Sequence, residues 1–427
     1  MITRTVNDSG KKNYAFAIGI IGGLFFIFGF VTWLNSVLIP FLKQVCHLTN
    51  FQAYFVTLAF YISYTVMAIP ASAILKRTGF TKGMAIGLIT MAIGSLVFIP
   101  AAQTRSYPLF LLGLFTQGAG LTLLQTASNP YITILGPIES AAKRISIMGI
   151  CNKVAGMIGI FLLNNLLFSD TQTLSKKIES LSGSALAAEL DILASRLIIP
   201  YILMAVALVG LAIMVQKAHL PNVDPEQETT KPEEEVNLRG RTSALQFPYL
   251  MLGVYCIFVY VGVEVIAIDT LSLYGQYQGF DLNTAGNFAI YSLIALTAGY
   301  LLGIILIPKY LTQRIALIMC ASLGFVFTVL ALLTSGWLSI AFIVLLSFAH
   351  ALMWPSIWPL AINRLGRFTK TGSALLIMGV AGGALLPLVY GALADSSNRQ
   401  IAYWVILPCY VYILFFAARG YRIGLRG

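Results

Sequence analysis

Charge is scarce in this sequence. Only 10% of the residues are Asp, Glu, Lys or Arg, where a soluble domain carries roughly 25%. That excludes an ordinary water-facing globular surface. Histidine is scarcer still, at positions 47, 219 and 350. With no His-Glu-x-x-His run and no aspartates paired in facing helices, the sequence lacks the constellations an intramembrane enzyme needs. The five cysteines (46, 151, 256, 320 and 409) are odd in number, scattered and without metal-ligand spacing. They read as small core residues rather than as a disulfide framework or a metal site.

What the chain has is apolar length. It is 58% hydrophobic over 427 residues. Twelve apolar stretches lie at approximately 16–42, 52–75, 82–101, 108–135, 144–168, 200–216, 247–275, 285–308, 314–334, 338–363, 371–393 and 402–418. Each approaches or exceeds the roughly 20 residues that span a bilayer as a helix. Helices are the expected form, because lipid cannot satisfy exposed backbone groups and no barrel-like alternation appears. The first stretch is longer than a signal-peptide core and lacks a cleavage pattern, so it reads as the first helix.

The two sets of six stretches echo each other. Leu135-Gly136 and Ile147-Met148-Gly149 recur as Leu365-Gly366 and Ile377-Met378-Gly379, both offset by 230 residues (365 − 135 and 377 − 147). The fold class expected is therefore an all-α membrane protein of twelve transmembrane helices in two pseudo-symmetric six-helix bundles. The bundles occupy 1–216 and 247–427, and a charged cytoplasmic linker occupies 217–246. A parallel duplication of this kind is built to rock one half against the other around a central site, which points to a transporter. A sugar-binding sensor of similar build would need an added soluble domain, and the linker is too short to be one.

The formal net charge of +11 does not signal nucleic acid. With the N-terminus inside, the inner connections hold 20 of the 27 Lys and Arg, the outer ones hold six, and Lys153 is left in the membrane. This asymmetry places both termini in the cytoplasm. The stretch 169–199 is an outer loop whose second part, Ala185 to Arg196, has helical spacing and is expected to lie on the surface.

Ionisable residues inside the bilayer are costly, so each is a functional candidate. Glu264 and Asp269 in the seventh stretch, Lys153 in the fifth and His350 in the tenth are the ones present. Glu264 is a candidate proton or sodium site, or else a structural carboxyl paired with a neighbouring helix. Asp269 lies nearer the outer end and reads first as a wetted helix terminus, with cation coupling as its other role. Lys153 either snorkels to the inner interface or faces the cavity, as a counter-charge for Glu264 or a donor to substrate hydroxyls. His350 reads as a hydrogen-bonded packing residue.

Amides accompany these groups. Asn35, Gln125, Asn129, Asn152 and Asn287 lie in apolar stretches, as do Tyr291, Trp33, Trp354 and Trp358. Gln125 and Asn129 are four apart and share a helix face. Amides beside aromatics suit a neutral polyol: amides pair with adjacent hydroxyls, and rings stack on the apolar sugar face. No arginine sits at mid-membrane to receive a phosphorylated substrate. The bland alternative is that some of these amides only join helices.

Four strings carry a resemblance. Trp33-Leu-Asn-Ser-Val-Leu-Ile-Pro-Phe41, Leu124-Gln-Thr-Ala-Ser-Asn-Pro-Tyr-Ile-Thr-Ile-Leu-Gly-Pro137, Met353-Trp-Pro-Ser-Ile-Trp-Pro359 and Thr371-Gly-Ser-Ala-Leu-Leu-Ile-Met-Gly-Val-Ala-Gly-Gly383 resemble the fucose permease and glucose/galactose permease branch of the major facilitator superfamily. The Asn152-Lys-Val-Ala-Gly156 stretch looks most like bacterial permeases for N-acetylglucosamine and related hexoses. The resemblance implies a monomeric bacterial inner-membrane protein importing a neutral hexose with a coupling ion, H+ or Na+, and no other cofactor. The candidate substrate-binding residues are Asn35, Gln125, Asn129, Asn152, Lys153, Asn287, Tyr291 and Trp354, with Glu264 and Asp269 for the cation. Three positions depart from the pattern. Ser36 stands where the fucose type has aspartate, Gln125 where it has glutamate, and Lys153 where a small serine is usual. Glu264 is then the expected proton carrier. An uncoupled facilitator and a drug or nucleoside carrier are the alternatives. Leu75 to Lys82 resembles the superfamily's gating loop without its aspartate.

Overall fold

The computed structural model describes residues 8–134, 141–168, 182–218, 240–307, 310–365 and 368–425. Twelve helical spans in it are long and apolar enough to cross a membrane. They are α1 Ile18–Val45, α2 Asn50–Leu75, α3 Arg77–Thr104, α4 Tyr107–Ser128, α5 Ile147–Phe168 and α6 Gly183–Lys217 in the first half. In the second half they are α7 Pro248–Asp269, α8 Leu282–Leu306, α9 Gln313–Leu333, α10 Gly336–Ile362, α11 Ala374–Ser396 and α12 Ile401–Ala418. The outer skin of the molecule is apolar, with Ile69, Leu203, Val206 and Leu302 exposed to where lipid would lie. Most of the linker lies outside the described residues.

Several spans are interrupted, and the sequence shows why. In α1 one helix ends at Trp33 and the next begins at Asn35. Pro40, inside the second piece, has no amide for the Ser36 carbonyl and crowds it. The Ser36 hydroxyl donates to the Trp33 carbonyl at 2.8 Å, satisfying a group that the break sets free. In α10 the helix stops at His350 and resumes at Met353. Pro355 removes the donor that the Ala351 carbonyl would have received, which falls on this break. Two residues into α3, where the chain turns from α2, Gly79 sits at φ +73°, a conformation that a side chain would strain.

Four readings of the sequence need correction. The stretches at 16–42 and 338–363 are not single helices, for the proline reasons above. The seventh stretch does not run unbroken to residue 275: α7 ends at Asp269, and a separate short helix, Leu271–Tyr277, follows Thr270. The eleventh runs three residues past 393 and ends at Ser396, so Asp395 also lies within a span. The helix expected over Ala185 to Arg196 forms as Gly183–Ser195, a separate first part of the α6 run before Ile198–Lys217; it buries Leu190, Leu193 and Ala194 and ties Asp191 to Arg105. Asp281 caps α8: its carboxylate accepts the Thr284 N–H at 3.0 Å, which holds it below the usual carboxylate range.

Candidate functional site

The site is built from two polar groups, one in each bundle. In the first, Gly29 of α1 lets the backbone of α5 at Asn152 approach so closely that a methyl at position 29 would overlap it. This contact brings Trp33, Asn152 and Lys153 together. Trp33 Nε1–H donates to Asn152 Oδ1 at 3.1 Å. The Lys153 ammonium stands 4.2 Å above the Trp33 ring, a cation–π contact that strengthens where water is excluded. Lys153 is only 8% exposed, so it stays at the core and does not snorkel to the interface. Beside this group, Gln125 Nε2–H donates to the Tyr64 hydroxyl at 3.1 Å, and Tyr64 stacks on Tyr61.

The second group lies on α7 and α10. The Tyr260 hydroxyl donates to Glu264 Oε2 at 2.8 Å. Tyr260 also meets the Trp354 ring at 6.3 Å between centroids, and Trp354 stacks on Trp358 at 5.5 Å. His350 bonds the Tyr410 hydroxyl at 2.7 Å and is fully buried, in the packing role expected of it. Gln117 is likewise helix glue, donating to Ser95 Oγ at 2.8 Å.

The two halves come into contact beside the first group. A methyl added at Gly156 of α5 would lie 2.9 Å from Leu293 of α8, which marks close contact between the halves at this level. Among the described residues no ion pair joins Lys153 to Glu264. Lys153→Met should weaken affinity for a hydroxyl-bearing ligand by about tenfold or more, as expected for losing a hydrogen bond to a charged donor. The same change should raise the thermal midpoint in detergent, because a buried charge without an ion-pair partner is removed. Ligand titration and a melting curve on one sample check both halves of that expectation.

The remaining predicted residues distribute unevenly. Asn35 is fully buried, and neither end of its amide has a partner among the described residues. Asn287 donates back to Asn283, one turn earlier, and its Oδ1 is left over. The side chain of Asn129 lies outside the described residues. Tyr291 does not join the site. It is 50% exposed and leans on Phe288, in an aromatic set with Phe280 and Trp337 on the outside of the bundle. Asp269 is not a wetted terminus, being 1% exposed beneath the facing bundle. Sequence reasoning passed over Tyr260 and Tyr64. Tyr260 had a usable signal, standing four residues before Glu264 on one helix face.

The other missing part is a latch at one end of the interface, which we call the outer end after the charge asymmetry. Asp395 of α11 reaches across to the start of α2. Its Oδ1 accepts the Asn50 N–H at 3.0 Å and the Asn50 side-chain amide at 2.5 Å, and its Oδ2 accepts the Phe51 N–H at 2.8 Å. Arg399 donates to Asn50 Oδ1 at 3.2 Å and to the Leu273 carbonyl at 3.0 Å. Asn164 of α5 donates to the Asn283 carbonyl at 2.9 Å, and Asn283 returns a bond to Phe168. This end of the interface is closed. Asp395→Ala should loosen it by about 1 kcal/mol, the usual worth of a carboxylate capping a helix start. Faster labelling of a cysteine placed at Phe51 would show the loss.

A family model described as Major Facilitator Superfamily matches residues 21–387. A glucose/galactose transporter of Brucella abortus is 32% identical over 419 residues, covering 96% of each chain. The L-fucose-proton symporter of Escherichia coli is 28% identical over 417 residues, covering 96% of this chain and 94% of its own. The crystal structure of the Major Facilitator Superfamily transporter FucP in the outward conformation matches with a TM-score of 0.71 and 26% identity, over 97% of this chain and 100% of that one. The match runs through both bundles, and the chain belongs to the Major Facilitator Superfamily.

Proposed function

We propose that this protein carries a neutral hexose-type sugar across the bacterial inner membrane by alternating access, together with a proton or sodium ion. Both termini then lie in the cytoplasm and the working unit is a monomer. The observation that carries the reading is the pair of facing polar groups at the bundle interface. Trp33, Asn152 and Lys153 stand on one side, and Tyr260, Glu264 and Trp354 on the other. Stacking aromatics and hydrogen-bonding groups of both signs suit a polyol. The relatives named for glucose/galactose and fucose transport support the same class. Asn35, Gln125 and Asn287 complete the sugar contacts in this reading, and Glu264 carries the coupling ion.

In turnover the sugar enters while the outer latch is open and binds between the two groups. Closure of the latch encloses it, and the inner ends then part. Coupling requires that the loaded carrier reorient more readily than a half-loaded one. Glu264 meets this need because its carboxyl lies at the sugar's level and is tied to Tyr260.

The test is uptake of radiolabelled N-acetylglucosamine, glucose, galactose and fucose into proteoliposomes, with proton or sodium gradients imposed separately. Accumulation of one sugar under one gradient is the expected result. Equilibration indifferent to both gradients would leave sugar facilitation and remove the coupling role of Glu264. Absence of uptake for every sugar would overturn the sugar reading in favour of a drug or nucleoside carrier.

A further inference from the structure

Asp269 ends α7 in isolation. It is 1% exposed, and neither carboxyl oxygen has a hydrogen-bond partner among the described residues. Ser272, three residues on, is fully buried, and its hydroxyl also lacks a partner there. The helix breaks between them at Thr270. That hydroxyl is already engaged, lying 2.7 Å from the Ile266 carbonyl and 2.7 Å from the Tyr403 hydroxyl, so it does not turn to the carboxyl.

The ionisable groups that face Asp269 are few. Glu264 acts on it from the same helix. Tyr54 and Tyr61 act from α2, in the opposite bundle. Arg399, which acts on Tyr54 as well, is committed to Asn50 Oδ1 and to the Leu273 carbonyl, and among the described residues no basic side chain bonds Asp269. Tyr54 also meets Tyr390 edge-on, 5.7 Å between centroids, and a methyl added at Gly383 of α11 would lie 3.2 Å from the Tyr61 ring. The carboxyl is thus sealed under the seam between α2 and α11, the seam that Asp395 and Asn50 latch above it.

An ionised carboxylate in such a place costs several kcal/mol unless a cation or donors compensate it. Among the described residues no side chain donates to it, so the closed seam suits the neutral acid. Opening the outer end separates α2 from α11 and α7 and admits water to the group. We propose that Asp269 is a proton site that gates the outer end: the seam closes over it only after it has taken a proton from the outer solution. The proton adds to one carboxylate oxygen and turns the carboxylate into the neutral acid that the closed seam requires. It leaves once the seam parts again and water can take it from the carboxyl. This rests on the transport reading and adds to it the group that decides when the outer end shuts.

The experiment measures the outer end directly and needs no transport. Spin labels on Gln103→Cys and Ser335→Cys, in the full chain freed of its native cysteines, report the distance between the bundles by double electron–electron resonance. Both positions are exposed, one in each half. The expected result is a short distance at low pH, a growing long-distance population as pH rises, and a short distance at every pH in Asp269→Asn. Glu264→Gln should keep the pH response. A wild-type distance indifferent to pH overturns the proposal, and this arm does not depend on any variant folding. An Asp269→Asn profile that follows the wild type overturns it too. Shortening by sodium at constant pH, without a proton response, makes the site a sodium site and overturns the proton assignment. If outer closure tracks pH through Asp269 while no sugar is transported, the transport reading fails and the gate stands.

Discussion

Glu264→Gln is expected to abolish uphill sugar uptake while leaving sugar exchange intact. The amide keeps the size of the carboxyl and an oxygen that accepts from Tyr260, so the pocket is preserved. What it loses is the ability to take up and release a charge opposite Lys153. One pH unit corresponds to about 1.36 kcal/mol, so a carrier moving one proton per sugar sustains about tenfold accumulation for each unit of gradient. The variant should equilibrate at the outside concentration under the same gradient. Exchange needs no net movement of the empty carrier, so preloaded labelled sugar should still leave when unlabelled sugar is added. Full accumulation by the variant would show that Glu264 is a structural carboxyl held by Tyr260.

The second large effect is expected at Gly391. A methyl there would lie 2.6 Å from a ring carbon of Tyr54 and 3.0 Å from the Asn50 carbonyl and Phe51 Cα, all in the opposite bundle. The two nearest of these are a ring packed against Tyr390 and a backbone atom within the latch, neither free to retreat. Gly391→Val therefore wedges the outer end without touching either polar group of the site. Overpacking of this kind costs typically 1–3 kcal/mol, which shifts the balance of open and closed forms by about 5- to 150-fold. Sugar binding from outside should persist while uptake falls by a similar factor. The long-distance population at the outer end should rise at every pH. Normal uptake by Gly391→Val would mean that the halves close here with more slack than the structure shows.

The sequence made much of the site legible, and the reasons are specific. Glu264 and Lys153 stood out because ionisable groups are rare in apolar stretches. Asn152 and Trp33 stood out as members of a collection of amides and indoles in apolar stretches, and they join α1 to α5. The twelve spans followed from length and hydropathy alone. What the sequence hid is helix rotation and contact between halves. Tyr291 lies one turn beyond Asn287, yet the helix turns its ring to the outside, where Phe288 receives it. Asp269 read as a wetted end because its distance along α7 was visible and the cover from Tyr54 and Tyr61 was not. The latch was missed because Asp395 fell in an assumed loop. Gly391 and Asp395 are four apart on one helix face, a pairing of a close-contact residue with a reaching carboxylate that marks the seam once α11 is drawn to its full length.

Sugar and cation are expected to cross together through the interface between Lys153 and Glu264. The decisive measurement is the current evoked by sugar on a solid-supported membrane. With proteoliposomes adsorbed and no gradient imposed, adding glucose or galactose should drive positive charge inward, and the steady signal should vanish in Glu264→Gln. Sugar uptake measured on the same vesicles without any charge movement would contradict the claim and leave a carrier that moves sugar alone.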